Sequence, residues 1–138
     1  MRFYVLLLLA LALAGCSTSR MAVQATLPLV ESQIQAMQEE RDPVLAQKAI
    51  PANLKMLEGL LKQDPENTWI LENLAEGFCS YAFSFLEDTE PVRASSFYER
   101  GKEYALTATI IRTGRKKWEG LSIEEWSHAL NNVKESHQ

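Results

Sequence analysis

The chain has 138 residues, a formal net charge of −4 and only two cysteines. That length bounds it at one small domain. An acidic balance gives it no electrostatic reason to bind nucleic acid.

The N-terminus reads as a bacterial lipoprotein signal. Arg2 supplies the positive start, and Phe3 to Ala14 is an unbroken apolar run. Such a run matches a secretory signal and is too short to span a bilayer as a helix. It closes on Leu13-Ala14-Gly15-Cys16, which resembles the lipobox in residue class, order and distance from the start. Cys16 is therefore the expected lipidation site, and residues 1–15 the segment removed. The remaining 123 residues lose one charge, Arg2, and carry 13 basic and 18 acidic side chains, a net of −5. Ser17, where an aspartate would resemble an inner-membrane retention signal, favours the outer membrane. Cys79 is then the one thiol left, so no intrachain disulfide is expected. It lies in a helical pattern between Phe78 and Tyr81 and reads as a buried, inert thiol.

Residues 16–27 have little pattern and are expected to form a lipidated tether, with a helical domain over residues 28–138. The spacing predicts a first helix from about Pro28 to Glu40, with Leu29, Ile34 and Met37 apolar. Asp42 then caps a second, and Pro43 suits its first position, where a missing N–H costs nothing. Pro51 either kinks this stretch or opens a new helix. Leu54, Leu57, Leu60 and Leu61 form its apolar face. Asp64-Pro65-Glu66-Asn67 is a turn. The longest helix is predicted over Thr68 to Leu86. Trp69, Leu71, Leu74, Ala75, Phe78, Tyr81, Ala82 and Phe85 form its stripe, which Ile70, Phe83 and Leu86 widen almost all round. A helix of that kind is buried on more than one side. Asp88-Thr89-Glu90-Pro91 is the next stop and start. From about Val92 to Arg112, Ala94, Gly101, Ala105 and Ala108 are small and Phe97, Tyr98 and Tyr104 are large. Ala94, Tyr98, Gly101 and Ala105 are candidate helix-packing residues, because small side chains let two axes approach. Arg112, Arg115, Lys116 and Lys117 could form an anion site but read as cations that complement the dipole at that helix's end. Ser122-Ile123-Glu124-Glu125 is a capping box, with Leu121 and Trp126 placed as a hydrophobic staple, and opens a helix to about Glu135. No stretch alternates with period two, so the fold class is all-α, built of antiparallel helical hairpins.

With Pro65 at the closing position of a tetratricopeptide-like unit, the next unit begins at Thr68. Leu71, Leu74, Ala75 and Phe78 then occupy its first-helix core. Ala94, Tyr98 and Gly101 reproduce the second-helix spacing about seven residues late. The pattern is tetratricopeptide-like, and a generic array of α-hairpins meets most of the same positions. A closer likeness runs through Ala49-Ile50-Pro51-Ala52, Leu57-Glu58-Gly59-Leu60-Leu61, Asp64-Pro65-Glu66-Asn67, Leu74-Ala75-Glu76-Gly77, Ser80-Tyr81-Ala82-Phe83-Ser84-Phe85 and Ala94-Ser95-Ser96-Phe97-Tyr98-Glu99-Arg100-Gly101. On these residues and the lipobox, the chain resembles the T-component (TatT) family of TRAP transporters. The resemblance implies an all-helical lipoprotein of the periplasmic side that docks the TRAP solute-binding protein, with an apolar passage for hydrophobic ligands. Trp69, Phe78, Tyr81 and Phe85 either line that passage or form core between stacked hairpins, and core is the simpler reading. Family members continue with further hairpins. This sequence is therefore expected to be a short or truncated member, a split gene or a fragment. An array cut short exposes apolar surface at its last helix, around Trp126 and Leu130, so self-association is expected.

No enzyme constellation is present. His128 and His137 are nine residues apart with no cysteine between them, and His128 reads as an exposed helix residue. Glu39, Glu40 and Asp42 could hold a cation but read as a solvated helix end. The sequence contains no GxSxG, P-loop or GxGxxG motif. The expected function is non-catalytic binding, with no cofactor. A helical-repeat adaptor for an envelope assembly is the alternative.

Overall fold

The computed structural model describes residues 15–114 and 120–128. Among them the regular elements are helical and no strand occurs. The fold is all-α. The chain divides at Pro65–Glu66 into two compact units.

The first unit is an antiparallel hairpin of α1 (Gly15–Gln38) and α2 (Pro43–Gln63). The connection works as the sequence predicts. Asp42 takes an extended backbone, and its carboxylate accepts the N–H groups of Val44 at 2.8 Å and Leu45 at 3.3 Å. Those donors have no partner within the helix, so the cap supplies one. Glu40 folds over the same turn, accepting from the backbone N–H of Arg41 and of Asp42 at 2.8 Å each.

Helix α1 departs from the expected Pro28–Glu40 helix and from the expected tether over 16–27. It starts thirteen residues earlier and passes through Pro28. The reason is a second apolar row. Val23, Leu27, Val30, Ile34 and Met37 alternate steps of four and three, the spacing of one helical seam. Val23 and Val30 are buried, and the other three are half-buried. A proline inside a helix costs about 3 kcal/mol. Each fully buried valine or leucine returns roughly 1.5–3 kcal/mol, so the seam outweighs the proline. Leu29, expected on the apolar face, points outward and is 74% exposed. Helix α2 likewise runs unbroken through Pro51. Leu54 and Leu57 are buried, and Leu60 and Leu61 half-buried. Asn53, where a tetratricopeptide unit prefers a small residue, accepts a hydrogen bond from Gln33 Nε2 at 2.6 Å.

The second unit contains α3 (Thr68–Tyr81), a π-helical turn (Ala82–Leu86) and α4 (Pro91–Thr113). Asn67 opens α3 by accepting from the Ile70 N–H at 3.1 Å. The predicted single helix over Thr68–Leu86 is therefore a shorter α-helix with a π end, and α1 is longer. At the π turn the Glu87 N–H reaches back to the Ala82 carbonyl at 2.9 Å. This wider turn keeps Ala82 and Leu86 buried but turns Phe83 outward, 74% exposed. The expected all-round apolar burial therefore fails at Phe83. Gly114 ends α4 with φ 66°, the left-handed conformation that favours glycine after a helix. Ser122 and Glu125 form the capping box reciprocally: the Ser122 N–H donates to Glu125 Oε2 at 2.8 Å, and the Glu125 N–H to Ser122 Oγ at 3.2 Å. The helix it opens is described over residues 123–128. Its predicted extension to Glu135, with Leu130 and Val133, lies outside the described residues.

Helices α3 and α4 pack antiparallel at their small residues. Ala94, Gly101 and Ala108 recur every seven residues, and all three are buried. A Cβ built on Gly101 would lie 2.5 Å from Cys79 Sγ and 3.0 Å from the Ala75 carbonyl oxygen. Gly101→Ala should therefore destabilise the fold by about 1–3 kcal/mol, the usual cost of overpacking. Adding Cys79→Ala removes the nearer clash and should recover part of that loss. Urea denaturation of the single and double variants measures both effects. Asp42→Ala should cost about 1 kcal/mol by the same assay, through loss of the α2 cap.

Candidate functional site

The residues singled out in the sequence fall into three places. Cys16 belongs to the first turn of α1, where the backbone is already helical. Trp69, Phe78, Tyr81 and Phe85 lie along α3 and its π extension. Phe78 and Tyr81 are buried, while Trp69 and Phe85 are half-buried. Ala94, Tyr98, Gly101 and Ala105 lie on α4.

Phe78 is the centre of the aromatic set. Its ring meets Phe97 edge-on at 5.2 Å and stacks on Tyr104 at 5.8 Å between centroids. Tyr81 stacks on Phe97 at 5.5 Å and meets Phe85 at 5.3 Å. Such pairs contribute about 0.5–1.5 kcal/mol beyond the area they bury. The Arg100 guanidinium lies 3.9 Å from the Phe78 ring centre. That geometry is a cation–π contact, and it covers the ring with a charged, wettable lid. The pattern reading missed Arg100. The missed signal is position: Phe97, Arg100 and Tyr104 follow one another by three and four residues, so they share a helix face.

The candidate packing residues separate. Ala94 and Gly101 share the buried row with Ala108. Tyr98 and Ala105 lie four residues after each of these, about 40° round the helix. Ala105 is exposed, and Ala108 occupies the contact expected of it. Tyr98 is half-buried and donates its hydroxyl to Glu87 Oε2 at 2.7 Å. This bond to a carboxylate holds the phenolic proton, helped by burial and by the negative charge of Glu87. The Tyr98 pKa is pushed up to about 12.

Several minor candidates also find structural roles. Cys79 is half-buried, with its sulfur against Gly101. Arg112 forms a forked ion pair with Glu72, through Nε at 2.5 Å and Nη2 at 2.9 Å. Arg115, Lys116 and Lys117 lie outside the described residues, as does His137. His128 is exposed and Trp126 half-buried. Glu40 and Asp42 spend carboxylate oxygens on backbone N–H groups, and Glu39 accepts from Gln35 Nε2 at 3.2 Å. Among the described residues no group of three or more His, Cys, Asp or Glu could hold a metal ion. Nor is any described helix long and apolar enough to cross a membrane.

The model of the TRAP transporter T-component family matches residues 39–137. The chain belongs to that family. The match begins in the loop before α2 and runs through the whole second hairpin, so most of the folded chain carries it. No curated protein and no solved structure matches the sequence. Membership makes the chain an accessory component of a TRAP transporter. In this T-component the Tyr98–Glu87 bond links α4 back to the turn after the π helix.

The sign of its pH dependence follows from the raised pKa. A proton held more tightly in the folded state contributes stability that is complete below pH about 10. That contribution is lost as pH rises through about 12. Ultraviolet titration of tyrosinate should show a late component near pH 12. Tyr98→Phe should remove it while leaving the neutral-pH circular dichroism unchanged. Glu87→Gln should move it toward the ordinary tyrosine range.

Proposed function

We propose that this T-component is a periplasm-facing lipoprotein, acylated on Cys16, that binds the solute-binding protein of its TRAP transporter without catalysing a reaction. The observation that carries this reading is the family match over residues 39–137. The lipobox at Leu13–Cys16 supports the anchor and favours the outer membrane. Each hairpin offers a helical surface, which suits recognition by complementarity. An anchor confines the encounter to the membrane plane and raises the effective concentration of the partner. Each acyl CH₂ contributes about 0.8 kcal/mol to anchoring, and more than one chain makes it stable.

We read Trp69, Phe78, Tyr81 and Phe85 as hairpin core rather than passage lining. The ring contacts of Phe78 and Tyr81 within their own unit support that reading. Self-association of the lipid-free protein remains part of the proposal, with the surface around the half-buried Trp126 expected to drive it.

A crosslinked pull-down of the full-length, C-terminally tagged protein from its own cells tests the partner. Recovery of a TRAP solute-binding protein is the expected result. Recovery of envelope-assembly proteins in its place would replace this reading with that of a helical-repeat adaptor. Cys16→Ser should move the protein from the membrane fraction to the soluble fraction, as read by immunoblot of fractionated cells.

A further inference from the structure

We propose that the acyl anchor is joined to the folded domain without a flexible tether, so that the Cys16 end of the first hairpin rests in the lipid headgroup layer. This rests on the lipidation of Cys16 proposed above.

Three observations carry it. First, α1 begins at Gly15, so the chain is helical as it passes Cys16. Three residues later it is already fastened to the end of α2. Ser19 Oγ donates to the Gln63 carbonyl at 3.4 Å, and Arg20 Nε pairs with Asp64 Oδ1 at 3.4 Å. Gln24 Nε2 donates to Asp64 Oδ2 at 3.4 Å, and Val23 between them is buried. From Cys16 to Ser19 the helix rises only about 4.5 Å. A disordered tether over residues 16–27 would instead give a root-mean-square reach of roughly 20 Å.

Second, the hairpin is electrically polar along its length. The Cys16 end carries Arg20, Lys62 and Asp64, with Glu66 next in the chain at the start of the second unit, a net of zero. The opposite end is the loop 39–42, where Glu39, Glu40 and Asp42 outnumber Arg41 for a net of −2. An anionic bilayer surface repels the second end and not the first. Third, no acidic residue lies between Cys16 and Val30, and all 18 acids of the chain fall at Glu31 or later. The exposed side chain nearest the anchor that is both large and apolar is Met21, 68% exposed. It suits the boundary between headgroups and acyl chains.

Nitroxide labels test the geometry. Met21→Cys and Glu40→Cys are made singly in full-length, acylated protein carrying Cys79→Ala. Each is reconstituted in phosphatidylethanolamine–phosphatidylglycerol vesicles containing a nickel-chelating headgroup lipid. Along α1 the two sites differ by about 28 Å in distance from Cys16. Collisional relaxation by nickel should be several-fold stronger at position 21 than at position 40. Inserting a twelve-residue Gly-Ser segment after Ser17 should abolish that difference. Mass spectrometry of the same samples reports acylation. Acylated protein with equal, weak relaxation at both sites overturns the tetherless arrangement and leaves the lipoprotein reading intact. Protein with no acyl group on Cys16 overturns both.

Discussion

The second hairpin depends on the closeness of α3 and α4 at Gly101. With no side chain there, the α4 backbone lies against the Ala75 carbonyl and the Cys79 sulfur. That approach sets the distance at which every flanking group must fit. One turn to either side, Phe97 and Tyr104 reach across to the same Phe78 ring. At one end of the hairpin Arg112 reaches Glu72, and at the other Tyr98 reaches Glu87. A larger residue at 101 would move all of these together. Helices pack at 8–10 Å according to the side chains at their contact, and the small row selects the near end of that range.

The hairpin caps were legible in the sequence because each is a local chemical event. Asp42-Pro43 and Ser122-Glu125 place particular atoms within reach of unsatisfied N–H groups, and nothing distant is needed to read them. Helix α1 was harder. Pro28 reads as a boundary by local rules, and the seam from Val23 to Met37 becomes decisive only through contact with α2. Tertiary burial overrode a local signal, as it does when several apolar side chains oppose one proline. Ala105 illustrates a different limit. Its small size was correctly noted, but four-residue and seven-residue spacings both look helical. Only the partner surface shows that the packed row is 94, 101 and 108. The π turn left no composition signal, and so the exposure of Phe83 could not be foreseen.

The two hairpins divide their polar and apolar holding differently. In the first, the seam is aliphatic, and the ends are tied by Asp64 with Arg20 and Gln24. Asp64 is buried, so these partners offset a desolvation cost that an unpaired carboxylate would bear in full. In the second, aromatic rings dominate and a guanidinium closes over them. Exposed pairs such as Lys102–Glu99 and Arg93–Glu90 add little by comparison, because water screens them. Stability therefore rests on the seam in one unit and on the Phe78 cluster in the other.

Function was less legible than fold for a physical reason. A catalytic site concentrates unusual chemistry, such as a nucleophile beside a base or several ligands round a metal. A docking surface built on complementarity needs no such concentration, and its residues are ordinary helix surface. Here Glu40, Asp42 and Glu125, carboxylates that could suggest chemistry, accept backbone N–H groups at helix starts. Of the aromatic residues that could suggest a ligand, Phe78, Tyr81 and Phe85 are occupied with other rings of their own unit. What separates this chain from any other all-α hairpin protein is the likeness of its helices, in order, to one family. The chemical signature the sequence offers is the lipobox at Cys16, and the acylation proposed there concerns where the protein is held. Position, rather than reactivity, is thus what this sequence suggests most directly: a lipobox cysteine and a helix already under way as the chain passes it.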